Sequence, residues 1–94
     1  MRYPETPAER LRQVKAAIRE PYAWPGGYPK YVLMEDGEAL SIAAARENWR
    51  LICWATIHRV RDGWRVADVD INWEDAELVC VHTGELIECA YPPD

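Results

Sequence analysis

Apolar residues recur at helical spacing near the N-terminus of the chain. Residues 7–20 carry one apolar stripe, formed by Leu11, Val14 and Ile18. Such a stripe is typical of a helix that packs on a core. Thr6 is a favourable N-cap, and Pro7 and Glu9 at the first and third helical positions complete a capping box with a proline start. Because Pro21 cannot continue a helix, we predict a first helix that ends before it.

A second helical pattern covers residues 41–60, with Ser41 as its N-cap. Its apolar face is formed by Ile42, Ala45, Trp49, Ile52 and Cys53. Because Trp49 lies in the middle of that face, we expect its side chain to be buried. The β-branched residues toward the end of the segment leave the C-terminal boundary of this helix open.

Elsewhere, apolar and polar residues alternate as they do in strands. Residues 30–40 predict a hairpin that turns at Asp36–Gly37. Residues 64–73 predict one strand whose apolar positions change phase, and a bulge near Ala67–Asp68 would reconcile the two halves. Residues 78–91 predict a second hairpin, closed by a two-residue loop.

These elements predict one α+β domain over residues 1–94, with two helices packed on a small antiparallel sheet. Its parts are an N-terminal helical segment (1–21), an aromatic Pro/Gly loop (22–29) and an α+β core (30–94). No apolar run approaches the ~20 residues that span a bilayer, so we expect no membrane partner. The polar N-terminus and three widely spaced cysteines predict a protein of the reducing cytoplasm.

The formal net charge of −5 is unevenly distributed. Residues 1–61 carry ten basic and seven acidic side chains, whereas residues 62–94 carry one and nine. An acidic final third favours a protein partner with a basic surface and disfavours direct contact with nucleic acid. An alternative is that these acids only keep a small sheet soluble.

Two segments are candidates for partner binding. The first is an acidic segment around one tryptophan, comprising Asp68, Asp70, Trp73, Glu74, Asp75 and Glu77. The second is the aromatic loop with Tyr22, Trp24 and Tyr28. Tryptophan and tyrosine are favoured interface residues because each joins a large apolar ring to a polar group. The loop could equally fold onto the core as a hydrophobic plug, which is the commoner arrangement for such a loop.

The stretch LVCVHTGELIECA (78–90) contains Cys80 and Gly84 of a zinc knuckle, but Thr83 stands where the second thiolate would be. In a hairpin that pairs 82 with 85 and 80 with 87, Cys80, His82 and Cys89 would share one face. We expect structural cysteines there rather than a metal site, because free cysteine is most often a small buried apolar residue.

Four short motifs follow one another along the chain: AAARENWRLI, DGWRV, INWED and CVHTGELIECAY. Their order over residues 28–91 resembles a group of small phage and prophage proteins of zinc-ribbon type. That group holds zinc with two Cys-x-x-Cys knuckles, and the matching positions here are Ser41, Ala44, Cys80 and Thr83. The resemblance therefore implies degenerate ribbon-like hairpins in which apolar packing replaces the ion.

Three functions remain open. The first, which we favour, is a non-enzymatic phage or mobile-element protein that binds and inhibits a host protein, such as a bacterial defence complex in the manner of an anti-CRISPR protein. The second is a metal-binding nucleic-acid module of zinc-ribbon type. The third is a small-molecule binding or sequestering protein. We expect no catalytic residues and no cofactor, because Cys53 and His58 fall on different helix faces and PGG is not a phosphate-binding loop. A homodimer is left open.

Overall fold

The computed structural model describes residues 6–60 and 63–91. Three helices and a four-stranded antiparallel sheet confirm the predicted α+β class. The elements are α1 (Pro7–Arg19), β1 (Tyr22–Ala23), β2 (Tyr28–Met34), β3 (Ala39–Leu40), α2 (Ile42–Glu47), α3 (Trp49–His58) and β4 (Val66–Ile71). None of the helices in the described ranges is long and apolar enough to cross a membrane.

The first helix begins and ends as predicted. The Thr6 hydroxyl accepts the backbone N–H of Glu9 at 3.1 Å, and Pro7 opens the helix. Val14 is fully buried, with Leu11 and Ile18 half-buried beside it. Arg10 is half-buried, and its guanidinium donates to the Val66 carbonyl at 3.2 Å, which ties α1 to β4.

The prediction of one continuous helix over residues 41–60 is wrong, because this segment forms two helices, α2 and α3. Asn48 leaves the helical region at φ −112° and ψ 24°, and its side-chain amide donates to the Ala44 carbonyl at 2.9 Å. Asparagine competes with the backbone for such carbonyls, which explains the break. Trp49 then packs half-buried against the core rather than inside it, which corrects the expected full burial. Ile52 is fully buried.

Strand β2 is the hub of the sheet, since β1, β3 and β4 all pair with it in antiparallel fashion. The predicted turn at Asp36–Gly37 is confirmed, with Gly37 at φ 88°. The predicted bulge in β4 is confirmed too: Leu33 pairs with Asp68 and Met34 with Val66, so Ala67 is the additional residue. Asp62–Gly63 is a further turn sequence. Gly63 has φ 88°, and Asp62 lies outside the described residues.

The last hairpin has a different register from the predicted one. Val79 bridges Leu86, and the Cys80 N–H donates to the Glu85 carbonyl at 2.8 Å. The loop is therefore four residues long, 81–84, and Gly84 in it takes φ 74°. Only one β-bridge forms, because this segment hydrogen-bonds elsewhere: the Val81 N–H donates to the Ala39 carbonyl of β3. The segment closes over the core, to which Cys80 and Ile87 contribute buried side chains.

A candidate binding surface of aromatic and acidic side chains

Asn72, directly after β4, joins three separate segments of the chain. Its backbone N–H donates to the Pro29 carbonyl, and its backbone carbonyl accepts the N–H of Ala90. Its side-chain amide donates to the carbonyls of Asp75, Ile87 and Glu88, and its side-chain oxygen accepts the N–H of Asp75. The residue is 3 % exposed. This junction holds the 73–77 turn and the C-terminal segment against the start of β2.

Three aromatic rings meet at this junction. The Tyr28 ring lies 4.7 Å from Trp73 and 6.0 Å from Tyr91, and the Trp73 and Tyr91 rings are nearly parallel at 6.4 Å. The Tyr91 hydroxyl donates to the Tyr28 oxygen at 3.3 Å, and this bond raises the pKa of Tyr91 above its ordinary value. Trp73 and Tyr91 keep about half of their surface exposed (46 % and 55 %). We call Tyr28, Trp73 and Tyr91 the aromatic cluster.

The loop before β2 is shaped by its own aromatic residues. A Cβ at Gly26 would overlap the ring of Tyr28, so this position needs glycine for the ring to lie flat on the turn. Gly27 adopts φ 69° beneath the ring of Trp24. Trp24 itself is 67 % exposed and donates from Nε1 to Glu20 at 2.6 Å. Because Trp24 is mostly exposed, the loop presents an aromatic surface rather than a plug in the core.

Acidic side chains follow Trp73 along the chain and bond to two other aromatic residues, Tyr22 and Trp24. Glu74, Asp75 and Glu77 are exposed on the turn that follows Trp73. Glu88 accepts a hydrogen bond from the Tyr22 hydroxyl at 2.9 Å. That hydrogen bond, followed by the charge of Glu88, raises the pKa of Tyr22. We use the name aromatic–acidic surface for the aromatic cluster and Trp24 together with the acids Glu74, Asp75, Glu77 and Glu88.

The two segments proposed from the sequence thus meet at one place, through the contact of Tyr28 with Trp73. Two of the proposed residues do not fit this surface as expected. Asp68 is only 7 % exposed, because the bulge at Ala67 turns its side chain into the protein, and it is not available to a partner. Asp70 is half-buried, and its carboxylate accepts the N–H of Ile71 at 2.8 Å.

Sequence reasoning did not single out Tyr91, Glu88, Glu20 or Asn72 for this site. The motif IECAY contains two of them, but nothing local indicates that its tyrosine returns to the Trp73 turn. Asn72 could have been found from its position, directly after a strand and before Trp-Glu-Asp. At such a position the asparagine side chain commonly hydrogen-bonds the backbone of the turn that follows.

The Cys80 thiol lies among hydrogen-bond donors at 1 % exposure. The Ser41 N–H donates to its sulfur at 3.3 Å. Burial alone would raise the pKa of Cys80, but hydrogen bonds from the N–H groups and hydroxyls of Ser41 and Thr83 outweigh burial and lower the pKa to about 7. Positions 41, 80 and 83 are three of the four positions at which the resemblance places metal ligands. Here Ser41 and Thr83 donate hydrogen bonds to the sulfur of Cys80.

The alternative metal set of Cys80, His82 and Cys89 depended on a register that the hairpin does not adopt. His82 instead lies edge-on to Trp64, with the ring centroids 5.3 Å apart. Within residues 6–60 and 63–91, no three His, Cys, Asp or Glu side chains are grouped so that they could hold a metal ion. His58 stacks on Trp54, and its Nδ1 lies 2.9 Å from the carbonyl oxygen of the same residue.

Comparison with known proteins adds no relative: no protein-family model, curated protein or solved structure matches this chain.

Proposed function

We propose that this chain is a non-enzymatic binding protein whose aromatic–acidic surface engages a basic surface of a protein partner. The observation that carries the proposal is the contact between Tyr28 and Trp73, which joins the aromatic loop to the acidic turn. Half-exposed tryptophan and tyrosine rings bury much surface on binding and lose little conformational entropy. Aromatic faces also attract the guanidinium and ammonium groups of a basic partner.

The acids give the surface its selectivity. Glu74, Asp75 and Glu77 flank the aromatic cluster on one side, while Glu88 and Glu20 hold the hydroxyl of Tyr22 and the indole of Trp24. Carboxylates at the rim of an interface raise the association rate of a basic partner and repel nucleic acid. The rings of the aromatic cluster already pack against one another, which reduces the conformational entropy lost on binding.

The biological setting rests on the resemblance to phage and prophage proteins. We propose on that basis that the partner is a host protein of the bacterial cytoplasm and that binding inhibits it. A defence complex that handles nucleic acid fits the chemistry, since such proteins expose basic surfaces.

The experiment is a capture from bacterial lysate with two charge-matched double variants. Glu74→Lys/Glu77→Lys reverses two acids of the surface, and Glu38→Lys/Glu47→Lys reverses two exposed acids elsewhere. We expect a partner that the wild type and the second variant retain, that the first variant retains at least about tenfold less, and that is released as salt is raised.

Equal retention of every captured protein by both variants would place the interface elsewhere. Trp73→Ala adds a test that is independent of charge: loss of the same partner without loss of the folded state assigns the ring to the interface. A partner that the first variant loses but that salt does not release contradicts the electrostatic part of the proposal.

A further inference from the structure

A second, chemically opposite site lies between α1 and the α2–α3 junction. A cleft of about 220 Å³ opens there, with the half-buried side chains of Ile18 and Trp49 on its floor and Lys15, Arg19 and Arg46 around it. The Arg46 guanidinium donates to the Ile18 carbonyl at 3.2 Å and thereby fixes one wall. The floor is apolar and the rim is cationic.

Within residues 6–60 and 63–91, no acidic side chain forms an ion pair with the rim cations. In the part of the chain that the structure describes, the ion pairs join Arg10 and Arg65 to Glu35, and none involves Lys15, Arg19 or Arg46. The Lys15 charge also reaches α3, where it opposes the burial that raises the pKa of the Cys53 thiol. Three cations around an apolar floor, in a chain of net charge −5, are the complement of an anion with an apolar body.

We propose that this cleft binds a small amphipathic carboxylate, with its apolar body against Ile18 and Trp49 and its carboxylate between Lys15, Arg19 and Arg46. The cleft is smaller than the about 300–1,000 Å³ of most drug-sized ligand sites. It therefore suits a ligand with a short aliphatic or single-ring body. Arginine presents a planar fork that binds carboxylates in a bidentate manner, and lysine adds a point charge. The proposal does not depend on the aromatic–acidic surface.

The test uses octanoate as the probe and follows backbone amide signals of the full chain by two-dimensional NMR. We expect saturable shifts confined to the last two turns of α1 and to the α2–α3 junction. Two further probes separate the components of recognition: 1-octanol has the body without the charge, and acetate the charge without the body. Each should bind at least about tenfold more weakly than octanoate.

Variants assign the rim. Lys15→Glu should weaken octanoate binding at least about tenfold, and Lys15→Met should weaken it less, because the apolar stem is retained. Arg12→Glu is the matched control: it lies one turn earlier on the same helix, is exposed and does not line the cleft. It should change the affinity less than about threefold.

Three results would overturn the proposal. They are 1-octanol binding as tightly as octanoate, shifts that centre on the aromatic cluster or on the exposed face of α3, and equal effects of Lys15→Glu and Arg12→Glu. Arg19→Glu provides a second rim variant if Lys15→Glu fails to fold, and it should weaken binding to a similar extent.

Discussion

Replacing Asn72 by alanine should strongly destabilise the protein, because this side chain joins two segments through buried hydrogen bonds. It is 3 % exposed, and its two amide hydrogens are shared among three carbonyls, of Asp75 at 2.9 Å, Glu88 at 3.1 Å and Ile87 at 3.3 Å. Its oxygen accepts the Asp75 N–H at 3.2 Å. Alanine removes all of these bonds and leaves backbone groups of the two segments without their partner.

The expected loss follows from the number of bonds. Two amide hydrogens and one accepted N–H correspond to three hydrogen bonds, each worth roughly 1 kcal/mol net. The free energy of unfolding should therefore fall by about 3 kcal/mol. A domain of this size has a total of roughly 5–14 kcal/mol. A drop of about 3 kcal/mol lowers the melting temperature by roughly 12–24 °C.

Urea unfolding followed by tryptophan fluorescence measures this loss, with Asn48→Ala as the matched control. Among the residues that the structure describes, the Asn48 side chain makes one hydrogen bond, to the Ala44 carbonyl at 2.9 Å. Its replacement should cost about 1 kcal/mol. If the two variants lose the same stability within about 0.5 kcal/mol, the network around Asn72 does not hold the turn in place. In that case ring packing and backbone hydrogen bonds, such as that from the Tyr91 N–H to the Trp73 carbonyl, position the Trp73 turn.

Further predictions concern the core and Cys80. Ile52→Ala, at a fully buried position, should cost about 2–5 kcal/mol in urea unfolding, whereas Ile57→Ala, at a position 57 % exposed, should cost under about 1 kcal/mol. Because the pKa of Cys80 is about 7 in the folded protein and higher when unfolded, its contribution to stability should be lost as pH falls through 7 and increase toward pH 9. The wild type should accordingly gain up to about 2–3 kcal/mol relative to Cys80→Ala between pH 6 and pH 9. EDTA should leave the melting temperature of the wild type unchanged. The triple variant Ser41→Cys/Ala44→Cys/Thr83→Cys should bind one zinc per chain through the three introduced thiolates and Cys80.

Each of these predictions has a clear contrary result. Equal losses for the two isoleucine variants would mean that α3 packs in a different rotation. A pH-independent difference between the wild type and Cys80→Ala would mean that the donors from Ser41 and Thr83 do not stabilise a thiolate. Absorbance at 240 nm, measured in a variant that lacks Cys53 and Cys89, follows the ionisation of the Cys80 thiol directly. Zinc uptake by a triple variant that also lacks Cys80 would place the metal elsewhere.

Features that depend on neighbours within a few residues could be predicted from the amino-acid pattern. The cap at Thr6, the start of α2 at Ser41, the turn at Asp36–Gly37 and the bulge at Ala67 all follow from local hydrogen bonds or from a period of two. The α+β class followed as well, since segments of helical and strand period have few ways to bury their apolar faces together. The break at Asn48 was missed because the apolar stripe continues through it.

The location of the candidate site depends on long-range contacts. Tyr28, Trp73 and Tyr91 are separated by 45 and 18 residues along the chain, and no local pattern relates them. They meet because the Asn72 side chain, at the end of β4, donates hydrogen bonds to the Ile87 and Glu88 carbonyls of the C-terminal segment. Those bonds join residues far apart in sequence and depend on how the chain packs. The register of the last hairpin is set in the same way, since the hydrogen bond from the Val81 N–H to the Ala39 carbonyl of β3 competes with bonds within the hairpin. Which segments pair in a sheet depends on the other hydrogen-bond partners that each backbone edge reaches in the folded chain. The order of apolar and polar residues along the sequence does not contain that information.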